Sequence, residues 1–500
     1  GEDAFRQAVL SAKISGMSDT EIGTLFGISF HQLQQIITEA CGANISIIGR
    51  PKQIKSWAPK SFREETTTVW SFKQRGNWAT HDGRYRGNWS PYIPRNVILK
   101  YSKPGDVVLD YFAGSGTTAE EAKLLGRRCI ARDINPAAVA LTIENLAFEP
   151  YPGLFAGQQI YEPQVSIGDA RDLSDIPSDS IDLICAHPPY AGIINYSSAV
   201  PGDLSRLSTA DFLREMSKVA HESWRILKPG GKCAILVGDA RKRKHVVPIG
   251  FQLIRVFLEA GFVLCELVIK RQHNCRATGF WYARSIQHNF LLLAHEYLPV
   301  FEKPSVQLVS EQGLFWEHYL NHAIVVERSH IVEEKDLETT SVWVLPEDRL
   351  ESEIRRNLLQ RFSKHKEPFM EIKFDDNSTG LDNVPDRGVP LVYVRFPEKG
   401  LREQTALGYR ATIKNVITQI QAKLAPNGFV VFEVKDFRCD DGKVYPLGLF
   451  LYEDLAHQEN LSLKEIVIVL PNSYKAFPQS SESLAIIHRY LLIFTAKRDK

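Results

Sequence analysis

Residues 183–186, Leu-Ile-Cys-Ala, form an apolar run that stops abruptly at His187-Pro188-Pro189-Tyr190. A short apolar run ending on a breaker is the pattern of a strand buried on both faces of a parallel sheet. Pro188 and Pro189 fix φ at two successive residues and remove two backbone donors. The chain must therefore leave the sheet as a stiff extended segment tipped by an aromatic ring. An ordinary strand exit explains Pro-Pro-Tyr alone; the stretch upstream at 107–118, Val-Val-Leu-Asp-Tyr-Phe-Ala-Gly-Ser-Gly-Thr-Thr, gives it a context.

Around these two stretches the chain alternates. Strands are expected at 107–109, 129–131, 165–167 and 181–186, with helices at 117–125 and 136–147 between them, as in a doubly wound α/β sheet. An amphipathic helix at 203–227, a strand at 233–237, a charged loop at 238–245, a helix at 248–259 and a strand at 263–270 follow. A basic aromatic loop at 271–284 then leads to a last strand at 289–295. Before the sheet, residues 70–100 interleave tryptophan, tyrosine and arginine, which suits phosphates and bases as well as it suits plugging a core.

The 500 residues hold several domains, and the net charge of +1 gives no global signal for a polyanion. Seven scattered cysteines without a CxxC pair suit reduced thiols in a cytoplasmic protein and no metal site. No apolar run reaches membrane-spanning length and no signal peptide opens the chain, so no membrane role is expected. The chain begins with Gly1, as a processed chain or a fragment would.

The expected division is a helix-turn-helix-like segment at 1–45 with Gly27 in its turn, a linker at 46–69, an α/β domain at 70–302, a connecting region at 303–388 and a degenerate half-domain at 389–500. The helical segment fits a packing hairpin as well as a DNA reader. The half-domain rests on an internal repeat: Leu424-Ala425-Pro426-Asn427-Gly428 follows Leu227-Lys228-Pro229-Gly230-Gly231, and Pro446-Leu447-Gly448 follows Pro248-Ile249-Gly250, at spacings of 193 to 199 throughout. Extended upstream, the repeat sets Arg395-Phe396-Pro397-Glu398 where His187-Pro188-Pro189-Tyr190 sits, without the aromatic tip or a glycine loop.

A Gly-x-Gly loop between strand and helix lets a ligand approach the backbone closely. Asp133 and Asp169 end the next two strands. The first, about twenty residues past the loop, is placed to accept ribose hydroxyls, and the second to accept from an adenine amine. Each aspartate alone reads equally well as a helix cap.

The motif 110–118 followed by His187-Pro188-Pro189-Tyr190 resembles the exocyclic-amino DNA methyltransferases, which use S-adenosylmethionine, and Tyr92-Ile93-Pro94-Arg95 ahead of the first strand resembles that family's gamma arrangement. The resemblance spans about residues 70–300. It implies the Rossmann-like fold of the class I methyltransferases and a cofactor pocket built from Tyr92, Pro94, Asp110, Phe112, Gly114, Ser115, Gly116, Thr117, Asp133, Ile134, Asp169 and Ala170. It assigns His187, Pro188, Pro189 and Tyr190 to the base extruded from double-stranded DNA. The family usually carries Asp, Asn or Ser where this chain has His187. A neutral imidazole still accepts one hydrogen bond, so activity is expected to fall below about pH 6.5, the ordinary histidine value.

Arg241, Lys242, Arg243 and Lys244, with Arg271, Arg276 and Trp281, lie on loops expected at the same sheet edge and are assigned to DNA contact. The resulting expectation is a site-specific methyltransferase acting on N6 of adenine or N4 of cytosine, in a restriction-modification role that admits a partner endonuclease. Rival readings are an RNA methyltransferase with the same chemistry, a protein glutamine methyltransferase and a DNA-binding regulator that keeps the fold without turnover. Target base, recognition sequence and oligomeric state stay open.

Overall fold

A computed structural model describes residues 2–14, 17, 19–29, 32–33, 36, 54, 56–81, 87–148, 159–189, 200, 202–273, 284–305, 323–327, 337–363, 369–373, 386–396, 401–473 and 483–497. Helices α1 (Glu2–Ile14) and α2 (Asp19–Phe26) open the chain. With Leu33 and Ile36 they bury Val9 and Ile22 in a small core of their own, against which Ile167 packs. Gly27 turns there at φ +64°. Residues 30, 31, 34 and 35 of the expected second helix lie outside the described residues. The segment expected as a linker is partly anchored: Trp57 is buried against Trp78, Leu124 and Phe148.

The first α/β unit runs β1 (Val69–Ser71), α3 (Tyr92–Tyr101), β2 (Val107–Asp110), α4 (Thr117–Leu124), β3 (Arg128–Asp133), α5 (Pro136–Leu146), β4 (Gln164–Ile167) and β5 (Ile181–Ala186). It continues through α6 (Thr209–Ile226), β6 (Leu227–Ile235), β7 (Ala240–Lys242), β8 (His245–Val247), α7 (Ile249–Glu259), β9 (Val263–Arg271) and β10 (His295–Glu302). Eight strands form one sheet in the order β1-β9-β10-β6-β5-β2-β3-β4. Only β10 runs antiparallel to its neighbours. Strand order reverses at β2, so the carboxyl ends of β2, β3 and β5 open on one crevice. This is a doubly wound, Rossmann-like sheet.

The second unit contains β11 (Ala323–Glu327), β12 (Val342–Leu345), α8 (Leu350–Phe362), β13 (Phe369–Lys373), β14 (Val389–Arg395), α9 (Glu403–Lys423) and β15 (Leu424–Val434). It ends with β16 (Phe437–Arg438), β17 (Val444–Tyr445), α10 (Leu447–Ala456), β18 (Leu461–Pro471) and β19 (Arg489–Ala496). Its sheet order, β12-β18-β19-β15-β14-β13-β11, repeats β1-β9-β10-β6-β5-β2 and then departs. Where the first unit adds the parallel strands β3 and β4, the second adds the antiparallel β11. The repeat is thus longer than residues 389–500: the span expected as connection, 303–388, supplies β11, β12, β13 and α8.

Two other expectations change. The charged stretch 238–245 is not a loop but the hairpin β7–β8, turned by Arg243 and Lys244 at φ +49° and +68°. The last strand of the first sheet is His295–Glu302, not 289–295. Leu292 instead gives its amide to the Thr339 carbonyl and its carbonyl to the Ser341 amide, so this apolar run docks on the second unit.

The two units face each other through matching parts. Arg241 on β7 reaches Glu465 on β18 at 2.6 Å, and Arg438 on β16 reaches Glu266 on β9 at 2.7 Å. His295 links Ser341 of the other unit to Tyr297, and His488 links Thr68 to Tyr490 in the same way. One apolar core runs through both units, with Phe251 of α7 against Tyr452 and Tyr490. The chain is an internal pseudo-dimer with one complete α/β unit and one shortened one.

Candidate active site

The ends of β2, β3, β4 and β5 shape much of the crevice. After β2, Asp110 turns back to accept the Phe112 amide at 2.9 Å. Asp133 at the end of β3 accepts the Gly114 amide at 2.9 Å and the Asn135 amide at 2.9 Å. The glycine loop is tied from behind by α5: Thr142 donates to the Gly114 carbonyl at 3.0 Å and Asn145 to the Ser115 carbonyl at 2.9 Å. Gly116, at φ +87°, has no room for a side chain, since a Cβ would stand 2.7 Å from Thr142 Cγ2. Burial pushes the Asp133 carboxyl up to about 6 against the pull of its backbone donors, so it is ionised near neutral pH and retains lone pairs for a ligand.

The crevice is lined by polar and apolar residues together, as a site for an amphipathic small molecule would be. Of the residues assigned to the cofactor, Phe112, Gly114, Asp133, Ile134, Asp169 and Ala170 line it. The Asp169 carboxylate is engaged by Arg171 at 2.6 Å. Asp110, Ser115, Gly116 and Thr117 do not line the crevice; they build the loop behind it.

Tyr92 and Pro94 are placed differently from expectation. Tyr92 begins α3 and stacks on Phe72 at 5.1 Å, away from the crevice, and Pro94 is buried in the helix's first turn, where proline is tolerated. The wall assigned to them is built by Gly87, Asn88 and Trp89. Asn88 holds that wall by hydrogen bonds to both Ser115 Oγ and Thr117 Oγ1 at the start of α4. Helix α4 is itself anchored underneath by a buried cluster in which His81 bridges Glu120 and Glu121, while Glu121 also binds Arg95.

At the other end of the crevice stand His187 and Pro189. Pro188 follows in the same exit, and Tyr190 lies outside the described residues. The His187 ring is stacked on Trp89, with centroids 5.4 Å apart and planes 22° apart. Burial lowers its pKa to about 4, so the ring is neutral at ordinary pH and one ring nitrogen is an acceptor. Sequence reasoning did not single out Asn88 or Trp89. They sit inside the aromatic stretch 70–100, where many rings carried equal weight.

The basic residues assigned to DNA divide. Arg241 is committed to Glu465 and to the Leu291 carbonyl at 2.6 Å, which corrects its assignment: a guanidinium buried against a carboxylate serves the interface between units. Lys242, Arg243 and Lys244 are exposed at the hairpin tip. Arg271 is half-buried at the end of β9, and Arg276 and Trp281 lie outside the described residues. Among the described residues no helix is long and apolar enough to cross a membrane.

The second unit differs at the corresponding positions. Register places Val394 beside Phe432 as Ala186 stands beside Ile235, so Arg395 occupies the position of His187. Its guanidinium is neutralised by Glu351, Glu371 and Glu433. Glu371 stands at the position of Asp110, and among the described residues the strands that carry Asp133 and Asp169 have no counterpart.

Comparison with known proteins agrees with this geometry. Residues 43–144 match the profile of a family described as DNA methylase. Type II methyltransferase M.MthZI of Methanothermobacter thermautotrophicus is 26% identical over 175 residues, 30% of this chain and 49% of that protein. A tRNA (guanine(10)-N2)-dimethyltransferase of the same species is 35% identical over 130 residues, 26% of this chain and 34% of that protein. The chain therefore spans half the length of these relatives or less. A solved S-adenosylmethionine-dependent methyltransferase of Methanosarcina mazei is 17% identical with a TM-score of 0.29, covering 42% of this chain and 97% of that one. Over residues 43–144 the chain is thus similar to the DNA methylase family.

Proposed function

We propose that the chain methylates an exocyclic amine, N6 of adenine or N4 of cytosine, on a base extruded from double-stranded DNA. One observation carries the reading: His187 and Pro189 form the wall of the same crevice whose other walls hold Asp133 and Asp169. S-adenosylmethionine supplies the methyl group as an electrophile. Asp133 and Asp169 would hold its ribose and adenine, and the backbone at Gly114 allows close approach. An amine conjugated to a base ring is a weak nucleophile. Acceptors on its hydrogens, the Pro188 carbonyl and the neutral His187 ring, localise the nitrogen lone pair, while Tyr190 is assigned to stacking on the base.

Lys242, Arg243, Lys244 and Arg271, with Arg276 and Trp281, remain assigned to DNA, and the helical segment 1–45 to its recognition. A restriction-modification role, with an endonuclease partner and a cytoplasmic location, goes with the likeness to a Type II methyltransferase. Methylation of an RNA base is the second reading, favoured by the likeness to the tRNA dimethyltransferase. Incubation with methyl-labelled S-adenosylmethionine and duplex DNA or tRNA separates them. Label in DNA is expected; label in tRNA alone overturns the DNA reading.

A further inference from the structure

Arg171 grips the acid that follows β4 from one side. Its Nη2 donates to Asp169 Oδ2 at 2.6 Å, and its Nε hydrogen is shared between Oδ1 at 2.9 Å and Oδ2 at 3.1 Å. The Arg171 backbone amide donates to Oδ1 at 2.9 Å. The guanidinium is anchored twice more, by Nη1 to Glu215 of α6 at 2.6 Å and by Nη2 to the Gly202 carbonyl at 3.3 Å. Arg171 does not line the crevice; it lines a separate groove with Lys218, His221 and Arg225.

A carboxylate offers about four acceptor sites. The guanidinium donors all come from one side, and the Arg171 amide takes a second site on Oδ1. Oδ2 therefore keeps one site, away from the fork. That oxygen lies toward Gly202, 3.7 Å from where a Cβ on Gly202 would stand, and Gly202 lines the crevice with Asp169 and Ile134. The same Cβ would stand 2.7 Å from Arg171 Nη2 and 2.9 Å from Ile134 Cδ1, at φ +87°. Glycine alone lets the chain rest directly on the fork.

We propose that Arg171 is a positioning residue that sets ligand specificity at this end of the crevice: it fixes Asp169 so that one acceptor faces the base edge, admitting an amine and refusing a carbonyl. This rests on the assignment of Asp169 to the cofactor's adenine. An exocyclic amine donates to Oδ2, whereas a carbonyl at the same ring position sets two acceptors against each other. A carboxylate free to turn relieves that clash and takes up water instead. A carboxylate held in a planar, bidentate fork does not turn. Discrimination therefore depends on the fork and not on Asp169 alone.

Calorimetry on the full chain with S-adenosylhomocysteine and with S-inosylhomocysteine, which has a carbonyl in place of the amine, tests the proposal without DNA or turnover. The parent chain is expected to bind the adenine ligand at least about 10-fold more tightly. R171Q is expected to shrink that ratio to about threefold or less, chiefly by weakening the adenine ligand. R171K keeps the charge without the fork and is expected to fall between, and it carries the test if R171Q fails to fold. R214Q, at an exposed arginine of α6 paired with Asp211, is expected to keep the parent ratio. An unchanged ratio in R171Q, or equal weakening of both ligands as a loosened fold would give, overturns the proposal. D169N separates the two layers. Loss of the ratio in D169N but not in R171Q keeps adenine at Asp169 and overturns the role of Arg171 alone. A parent ratio near one, or an unchanged ratio in D169N, takes adenine away from Asp169 and overturns both.

Discussion

Arg241 and Arg438 hold the same place in the two halves of the chain, and each crosses to a buried glutamate of the opposite half. Arg241 binds both oxygens of Glu465 while the Leu291 amide donates to the same carboxylate at 3.1 Å. Arg438 binds Glu266, to which the Leu484 amide donates at 3.0 Å. Each arginine also donates to the carbonyl of that leucine, Leu291 or Leu484. Two crossed clamps of this kind lock the units against rotation.

Removing either arginine leaves a fully desolvated carboxylate without its partner, since the Glu465 side chain is 0% and the Glu266 side chain 4% exposed. R241A and R438A are each expected to cost about 3 kcal/mol in urea unfolding. R241A should leave the salt dependence of DNA binding unchanged, because its guanidinium is taken up inside the protein. A shallower salt slope with unchanged urea midpoint would return Arg241 to the DNA surface.

The pH profile follows from His187. Its folded pKa is lowered from 6.5 to about 4, chiefly by burial, so the ring stays neutral well below the 6.5 expected from an unperturbed histidine. Turnover limited by this ring is therefore flat from pH 8 to about 5.5 and falls only as pH nears 4. The depressed value also means that stability contributed by the neutral ring is complete above pH 6.5 and is lost as pH falls from 6.5 toward 4. A rate that halves near pH 6.5, with the fold intact by circular dichroism, would contradict this burial.

The interface holds a second titrating device. Asp239 accepts the Gly250 amide at 2.9 Å and the Tyr297 hydroxyl at 3.4 Å, and Tyr297 continues to His295. Asp436, Tyr490 and His488 repeat the relay in the second unit. Burial raises both aspartates to about 7. A raised carboxyl binds its proton more tightly in the folded state, so its contribution is complete below the unfolded value of about 3.8 and is lost as pH rises toward 7. D239N and D436N keep an uncharged relay, and each is expected to raise stability at pH 8 by a few kcal/mol. At pH 3.5 the variants should match the parent chain. Equal stability at pH 8 would show that the carboxylates are solvated.

The parts of the site that were legible in the sequence are those whose partners lie nearby along the chain. The glycine loop, Asp133 and Asp169 follow one another through a single strand-helix alternation, and His187 ends an apolar run that has no other reading than a buried strand. Tyr92 was misplaced because only the family resemblance assigned it to the pocket; its ring packs on Phe72, and the wall passed to Asn88 and Trp89. Arg241 was illegible for another reason: its partner lies 224 residues away, and a basic tetrad reads as a solvated face until that partner is known. The same holds for 291–294, an apolar run that reads as a strand but pairs with residues 339–341. Within 303–388 the apolar run Val342–Leu345 reads as a strand and is one, whereas β11 and β13, which pair with each other and, through β13, with β14 in the second sheet, were not legible.

Gly116 offers the most direct test of the cofactor crevice. Its φ of +87° disfavours any L side chain, and a Cβ would stand 2.7 Å from Cγ2 and 3.2 Å from Oγ1 of Thr142. The same Thr142 hydroxyl holds the Gly114 carbonyl at 3.0 Å. Relief in G116A must therefore come from the loop moving toward the crevice, which displaces the backbone that faces the ligand. The backbone strain alone is worth about 1 to 2 kcal/mol, so the variant should still fold. S-adenosylmethionine affinity measured by calorimetry is expected to fall by at least about 10-fold, the equivalent of 1.4 kcal/mol. T142A in the same background opens the space that the new methyl needs, and should recover part of that loss. Cofactor binding in G116A at the strength of the parent chain would show that the glycine loop does not shape the pocket.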